Sequence, residues 1–135
     1  PQDIQTTVLT TLKQGGFIPV IAPIGFDREG NALNINADTM AGAIASALKA
    51  EKLLLLTDTP GVMYEGKTLT RLTPHEVDSL QQQEIISGGM IPKTNCAKNA
   101  VEEGVAAAHI IDGRVPHALL LEIFTDNGVG TMVVG

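Results

Sequence analysis

Short apolar runs rich in β-branched residues alternate with helix-type patterns along the chain. The runs at residues 17–24, 53–57 and 105–111 are nearly uninterrupted, which predicts buried strands, and residues 131–134 predict a further short strand. Strands without polar alternation are typical of parallel sheets that are covered on both faces.

Helical patterns and turn signals fill the intervals between these runs. Five helices are predicted: residues 4–12 before Gly15-Gly16, the stretch from Asn36 to Ala50, a helix opened by the Thr73–Glu76 capping box, residues 90–103, and residues 116–124. Hairpin turns are predicted at residues 27–30 and 64–67. The pattern therefore predicts one α/β domain over residues 1–135, a three-layer αβα sandwich with a mainly parallel sheet that the hairpins make partly mixed.

The composition narrows the classes of function. The chain has 135 residues, 44% of them hydrophobic and 18% charged, so it suits a globular domain, and with no Trp its core must be aliphatic. A net charge of −6 without any Lys/Arg cluster argues against a nucleic-acid surface, and no apolar run is long enough for a membrane span. Cys96 is the only cysteine and is interpreted as a small buried helix residue in a reducing compartment.

Two segments place polar groups after predicted strands, where ligands bind in α/β sheets. In Asn34-Ile-Asn-Ala-Asp38 a strand ends and a helix begins, so these polar side chains could bind a ligand at the strand edge. Helix capping by Asn36 and Asp38 is the alternative, although it leaves Asn34 unexplained. The loop after residue 56 offers hydroxyl groups, amides and a carboxylate suited to ribose or phosphate, or it is an ordinary turn; its residues are Thr57, Asp58, Thr59, Gly61 and Val62.

The segment Gly88-Gly-Met-Ile-Pro-Lys93 is the strongest chemical signal. Two glycines allow a ligand to approach the backbone, and the helix that follows presents N–H groups and a partial positive charge. A lysine in this first turn is unfavourable by roughly 0.3–1 kcal/mol unless an anion binds there. A solvent-exposed surface lysine is the alternative.

Neither a P-loop nor a dinucleotide fingerprint occurs, and the three histidines lack metal-ligand spacing, so no protein metal site is predicted.

Taken together, these segments resemble the amino acid kinase family, and within it most closely the N-acetylglutamate kinases. The motifs that carry the resemblance are FIPVIAPIGFD, NINAD, EKLLLLTDTPGV, GGMIPK, IIDGRVPHALLLEIFTDNG and GTMV, and together they cover nearly the whole chain. NINAD followed by GGMIPK is the most specific combination.

The resemblance implies a kinase of arginine biosynthesis that uses ATP with Mg²⁺. It implies that Asn34 binds N-acetyl-L-glutamate, that Asp38 organises catalytic lysines, and that Lys93 neutralises the transferred phosphate. The loop of Thr57, Asp58, Thr59, Gly61 and Val62, with residues 85–87 including Ile86 and Ser87, is implied to hold the nucleotide. The chain is then the ATP-binding C-terminal lobe, without the N-terminal lobe that carries the other catalytic lysine, and it is expected to be inactive alone.

The resemblance also suggests regulation. His117, Glu122, Gly128 and the loop around Asp126 and Asn127 resemble the arginine-inhibited branch of the family, where a carboxylate can pair with the guanidinium of arginine. A solvated position on the helix is the alternative for Glu122. A homo-oligomer, the PII signalling protein and a cytoplasmic or plastid-stromal location are the further expectations. Another carboxylate kinase of the same fold, a non-catalytic nucleotide- or arginine-sensing module and a purely structural domain are the alternatives.

Overall fold

The computed structural model describes residues 4–125 and 128–135, which form a three-layer α/β domain. Its helices and strands follow in the order α1 Thr6–Gln14, β1 Ile24–Phe26, β2 Ala32–Asn34, α2 Ala37–Ala47, β3 Lys52–Thr57, β4 Met63–Tyr64, β5 Lys67–Thr68, β6 Arg71–Leu72, α3 Pro74–Gln82, α4 Met90–Glu102, β7 Ala107–Asp112, α5 Ala118–Phe124 and β8 Gly130–Val134. The α/β class and the mainly parallel, partly mixed sheet predicted from the sequence are confirmed.

The central sheet has four strands in the order β3-β7-β8-β6. β3 and β7 are parallel with Thr57 opposite Asp112, β6 and β8 are parallel, and β7 and β8 are antiparallel. The sheet is thus mixed because of β7 and β8. The two predicted hairpins, β1–β2 and β4–β5, form small separate sheets. The expectation that these hairpins make the main sheet mixed was therefore wrong.

The two faces of β7 show how the layers are built. Ala108 and Ile110 belong to the main core, which they share with residues of α2, α3 and α4. The alternate residue His109 points to the other face, because its ring contacts Glu122 of α5. Helices therefore cover both faces of the sheet, as uninterrupted apolar strands require.

The capping signals in the sequence correspond to real helix starts. The Asn36 side chain accepts from the Thr39 amide at 3.1 Å, and Thr73 and Glu76 form a reciprocal capping box with Pro74 in the first turn. Such caps stabilise a helix by about 1 kcal/mol each. They fix where α2 and α3 begin.

The predicted buried strand at residues 17–24 was wrong. Residues 17–22 belong to no helix or strand, Phe17, Ile18 and Val20 are exposed, and only Ile24 enters a strand, in the β1–β2 hairpin. The composition suits a buried strand, but none of the described strands pairs with this segment. The very short β6, in turn, had no pattern from which to predict it.

No helix in residues 4–125 or 128–135 has the length and apolar character needed to cross a membrane.

Candidate functional site

Lys93 and Asp38 meet between the starts of α4 and α2. The Lys93 Nζ lies 3.0 Å from Asp38 Oδ1 and 3.1 Å from Oδ2, and each side chain is 21% exposed. The pair is accessible to a ligand yet held in one geometry. The structure thus brings together two residues that the sequence singled out separately.

Close packing of α2 on α4 supports this pair. The Cys96 thiol donates to the Asp38 carbonyl oxygen at 2.9 Å, and a Cβ added at Gly42 would lie only 2.8 Å from Cys96 Sγ. Burial, assisted by the nearby Asp38 carboxylate, raises the pKa of the Cys96 thiol. Cys96 is therefore a buried packing residue, as interpreted from the sequence.

The start of α4 is open to solvent. A Cβ at either Gly88 or Gly89 would meet nothing within 4 Å, and Gly88 has φ +56°. The amides of Met90 and Ile91 donate to the carbonyl oxygens of Ser87 and Gly88, so they are already engaged. Among the described residues, the Gly88 and Gly89 amides donate to no backbone acceptor, and these are the donors that could face an anion.

The loop after β3 is held from two sides. Thr57 accepts from the Gly113 amide at 2.8 Å, and the Val62 amide donates to the buried Thr131 Oγ1 at 2.9 Å. Gly61 has φ +122° and passes so close to Thr131 that a side chain there would clash. The loop is therefore fixed at the carboxyl end of β3.

One hydroxyl group in this loop has no partner. Thr59 Oγ1 is buried and makes no hydrogen bond among the described residues. A buried hydroxyl without a partner costs roughly 1–3 kcal/mol. A polar group of a bound ligand, or a water molecule, would remove that cost. This observation fits the predicted role of the loop in binding a nucleotide.

The other predicted ligand residues differ in exposure. Ile86 is buried in the core, so it could contact a ligand only through its backbone, whereas Ser87 is exposed. Asn34 is exposed at the end of β2, and among the described residues its side chain makes no hydrogen bond. No hydrogen bond or ion pair of the described residues connects Lys93 with the loop after β3. A common binding site for all these residues stays a prediction.

Arg114 is a neighbour of this loop that the sequence did not single out. Its Nε and NH2 atoms each lie 2.8 Å from a carboxylate oxygen of Asp112, the last residue of β7, and this hydrogen-bonded guanidinium lowers the pKa of Asp112 to about 2. The hydrogen bond to Asp112 raises the pKa of Arg114, and the charge of the nearby Asp58 adds a smaller contribution. The only available signal was a charged Asp-Gly-Arg turn at the end of a predicted strand.

Glu122 faces into the protein. Its Oε1 lies 2.6 Å from His109 Nδ1, its Oε2 accepts from the Val129 amide at 2.8 Å, and a Cβ at Gly128 would lie 3.2 Å from Oε2. The solvated helix position considered from the sequence is therefore wrong. His109 Nε2 is buried without a partner among the described residues.

His117 is exposed at the start of α5, with φ +60°. Among the described residues it makes no hydrogen bond or ion pair with Glu122. Asp126 and Asn127, also predicted for the arginine site, lie outside the described residues. Sequence reasoning thus selected Glu122 but not its partner His109.

A groove lies next to the ion pair without including it. It runs between α2 and α4, has a volume of about 890 Å³, and is lined by Thr39, Ala43, Asn95 and Asn99 among others. Within the described residues no group of three or more His, Cys, Asp and Glu could hold a metal ion.

Comparison with known proteins gives consistent matches. A sequence profile of the amino acid kinase family matches residues 2–112. The acetylglutamate kinase of Acinetobacter baumannii is 60% identical over 131 residues, which cover 96% of this chain but 43% of that protein, and that of Halorhodospira halophila is 59% identical over 96% of this chain and 44% of its own length. The chain thus spans less than half the length of these relatives.

A solved structure shows the same fold. N-acetylglutamate synthase from Neisseria gonorrhoeae, in complex with coenzyme A and N-acetyl-glutamate, superimposes with a TM-score of 0.93 at 29% identity over 99% of this chain and 31% of that chain. The same synthase in complex with coenzyme A and L-arginine gives a TM-score of 0.91 at 29% identity, over 98% of this chain and 31% of that one.

Proposed function

The chain belongs to the amino acid kinase family, and we propose that residues 1–135 form the ATP-binding lobe of an acetylglutamate kinase. The proposed reaction transfers the γ-phosphoryl group of ATP to the γ-carboxylate of N-acetyl-L-glutamate, a step of arginine biosynthesis. The single observation that carries the proposal is the Lys93–Asp38 ion pair at the open start of α4. The 60% identity to an acetylglutamate kinase supports N-acetyl-L-glutamate as the acceptor.

Charge explains why a lysine belongs at this position. An ammonium group near a helix N-terminus is repelled by the helix dipole, and Asp38 offsets this repulsion while it orients Nζ. A polyphosphate near Nζ would find a lysine that is already aimed and the unoccupied amides of Gly88 and Gly89. Phosphoryl transfer depends mainly on such positioning and charge stabilisation.

The remaining residues have distinct proposed roles. Asn34 would hold the acetylglutamate, whereas the nucleotide would lie against the loop of residues 57–62 and the backbone of Ile86 and Ser87. The buried Thr59 hydroxyl without a partner supports a polar ligand at that loop. ATP supplies the phosphoryl group, and Mg²⁺ would be carried by its phosphate oxygens, because the described residues offer no carboxylate cluster. The chain's own part is binding and orientation.

Nucleotide titration tests the proposal directly. We expect weak but saturable binding of MgATP to the chain by isothermal titration calorimetry. Lys93→Ala should weaken it at least about tenfold, since a hydrogen bond to a charged group contributes roughly 1.5–3 kcal/mol. Lys98→Ala is the matched control, because Lys98 lies on the same helix and pairs with Asp78 instead. Absence of MgATP binding, or equal binding by Lys93→Ala, would contradict the proposal.

The isolated chain and a full-length polypeptide are expected to differ in kinase activity. We expect no turnover of acetylglutamate by the 135 residues alone, because a second lysine–glycine loop is absent from the sequence. Phosphorylation assays with a full-length polypeptide would distinguish acetylglutamate from glutamate or aspartate as the acceptor. A non-catalytic sensing module would instead tolerate replacement of Lys93 and Asp38 in the full-length polypeptide.

Arginine inhibition is the second part of the proposal. The synthase that shares this fold has been solved with L-arginine, and the buried Glu122 carboxylate is a suitable partner for a guanidinium. Its oxygens are bound to His109 and Val129 here, so arginine would have to replace those bonds. Persistence of arginine inhibition in full-length Glu122→Ala would contradict this assignment. Homo-oligomer formation and binding of PII stay predictions for the full-length protein.

A further inference from the structure

The segment between α3 and α4 is a mostly exposed loop. It comprises residues 83–89, and Gly88 and Gly89 are among its exposed members. Ile86, by contrast, is buried and anchors the loop in the core. Because the proposed function places the phosphates of a nucleotide against this loop, the position of its backbone relative to Lys93 matters for binding.

One side chain joins the two ends of this loop. Gln81 lies in the last turn of α3, and its amide Nε2 donates to Thr94 Oγ1 at 3.0 Å and to Asn95 Oδ1 at 2.9 Å. Both acceptors belong to α4, one turn after its start. A side-chain amide group has two hydrogens, so both are used in these bonds. Gln81 therefore ties the end of α3 to the start of α4.

Thr94 extends this connection to the first turn of α4. Thr94 is fully buried, and its hydroxyl donates to the Met90 carbonyl oxygen at 3.0 Å while it accepts from Gln81. Met90 directly follows Gly89, and Lys93 directly precedes Thr94. A buried network of this kind is costly to break at one point, because the remaining polar groups then lack partners. The network therefore holds the turn that carries the proposed phosphate-binding groups.

From these contacts we propose that Gln81 is a positioning residue for the nucleotide. Through Thr94 it closes the loop and holds the exposed backbone of residues 87–89 in the arrangement that a polyphosphate beside Lys93 requires. Gln81 acts through the loop and not by contact with the ligand. Its role toward the nucleotide rests on the proposed function, whereas the closure of the loop rests on the hydrogen bonds alone.

Gln81→Met and Gln83→Met test the closure as a matched pair. Both glutamines lie at the end of α3, but the Gln83 side chain donates to Ser79 of the same helix and not to α4. The Met90 and Ile91 amides donate to carbonyl oxygens of the loop, so their hydrogen exchange reports on opening of the loop. In the nucleotide-free chain we expect this exchange to be about threefold to tenfold faster in Gln81→Met and unchanged in Gln83→Met.

Nucleotide titration tests the role in binding. Gln81→Met should weaken MgATP binding about threefold to tenfold, and Gln83→Met should leave it unchanged. Thr94→Val removes the buried hydroxyl at nearly constant shape, so it should weaken binding in the same direction, and Gln81→Met should have less effect in its presence. The exchange experiment contains no nucleotide, so its outcome is distinct from a failure of the chain to bind MgATP.

A third variant separates positioning from a general loss of stability. Val101→Ala removes core packing at the far end of α4, so it should lower the melting temperature without changing exchange at Met90 and Ile91 or the affinity for MgATP. Unchanged exchange in Gln81→Met, faster exchange with unchanged MgATP affinity, or the same effects in Val101→Ala would each overturn the proposal.

Discussion

Lys93 and Asp38 are fifty-five positions apart in the sequence, yet the Lys93 Nζ is within 3.1 Å of both Asp38 carboxylate oxygens. This ion pair connects the first turns of α4 and α2, and it lies where the dipoles of both helices are positive. The carboxylate is favoured by that field and the ammonium group is not. Asp38 therefore stabilises the Lys93 ammonium group at a helix start, a position that is unfavourable for a positive charge without a nearby negative one.

The strength of this pair can be measured by a double-mutant cycle. Lys93→Met and Asp38→Asn should show a coupling free energy of about 1 kcal/mol in urea unfolding, because both groups are largely shielded from solvent. The Lys98–Asp78 pair is the control; its carboxylate is 46% exposed, so its coupling should be below about 0.5 kcal/mol. Equal coupling in the two pairs would show that Lys93 and Asp38 form an ordinary surface pair.

Thr131 should determine the stability of the loop after β3. Its hydroxyl accepts the buried Val62 amide, so Thr131→Val leaves that amide without an acceptor and should destabilise the chain by about 1–3 kcal/mol. Thr131→Ser retains the oxygen and should lose less. Chemical denaturation of both variants provides the measurement, and a Thr131→Val variant as stable as the original chain would show that the bond contributes nothing.

Gly130 is expected to tolerate no side chain. A Cβ at this position would clash with the Ile110 carbonyl oxygen and lie 2.8 Å from the Ile111 Cα, and both are backbone atoms of the adjacent strand. Gly130→Ala should therefore destabilise the fold by about 3 kcal/mol or prevent folding. Gly89→Ala, where a Cβ meets nothing within 4 Å, should change stability by less than about 0.5 kcal/mol. Similar melting temperatures for the two variants would contradict this.

The pH dependence of stability should contain a contribution from Asp112. Hydrogen bonds from Arg114 lower its pKa from 3.8 to about 2 in the folded chain. Because the folded pKa is the lower one, the stabilisation is complete above pH 4 and is lost as the pH falls toward 2. Arg114→Ala should flatten this part of the melting-temperature profile. Glu76 also has a lowered pKa, so Asp112→Asn is needed to assign the effect. An unchanged profile in both variants would contradict the assignment.

Local chemistry predicted much of the fold and the separate pieces of the site. The Asn36 and Thr73 caps, the apolar β3 and the Gly88-Gly89 opening of α4 depend on neighbours in sequence, so periodicity and capping rules located them. Residues 17–24 have the composition of a buried strand, but whether such a run pairs and becomes buried depends on a partner strand, which periodicity does not show.

Contacts between distant residues could not be predicted in the same way. The Glu122–His109 pair requires that α5 lie over β7, and the two-residue β6 exists only because β8 pairs with it. Arg114 was missed because its position near Asp58 follows from the alignment of β7 with β3. The geometry of these groups is a property of the assembled sheet.

β8 has a consequence for how the domain tolerates insertion or deletion. The amide of Val129, just before this strand, donates to the Glu122 carboxylate, and the Thr131 hydroxyl two positions later accepts from the Val62 amide. Both hydrogen bonds therefore depend on one short stretch of backbone. A register slip by a single residue would turn Thr131 away from the loop and push a side chain against Ile110 in place of Gly130. Substitutions can be accommodated at the half-buried Met132 and Val134 of this strand, but a change in its length cannot.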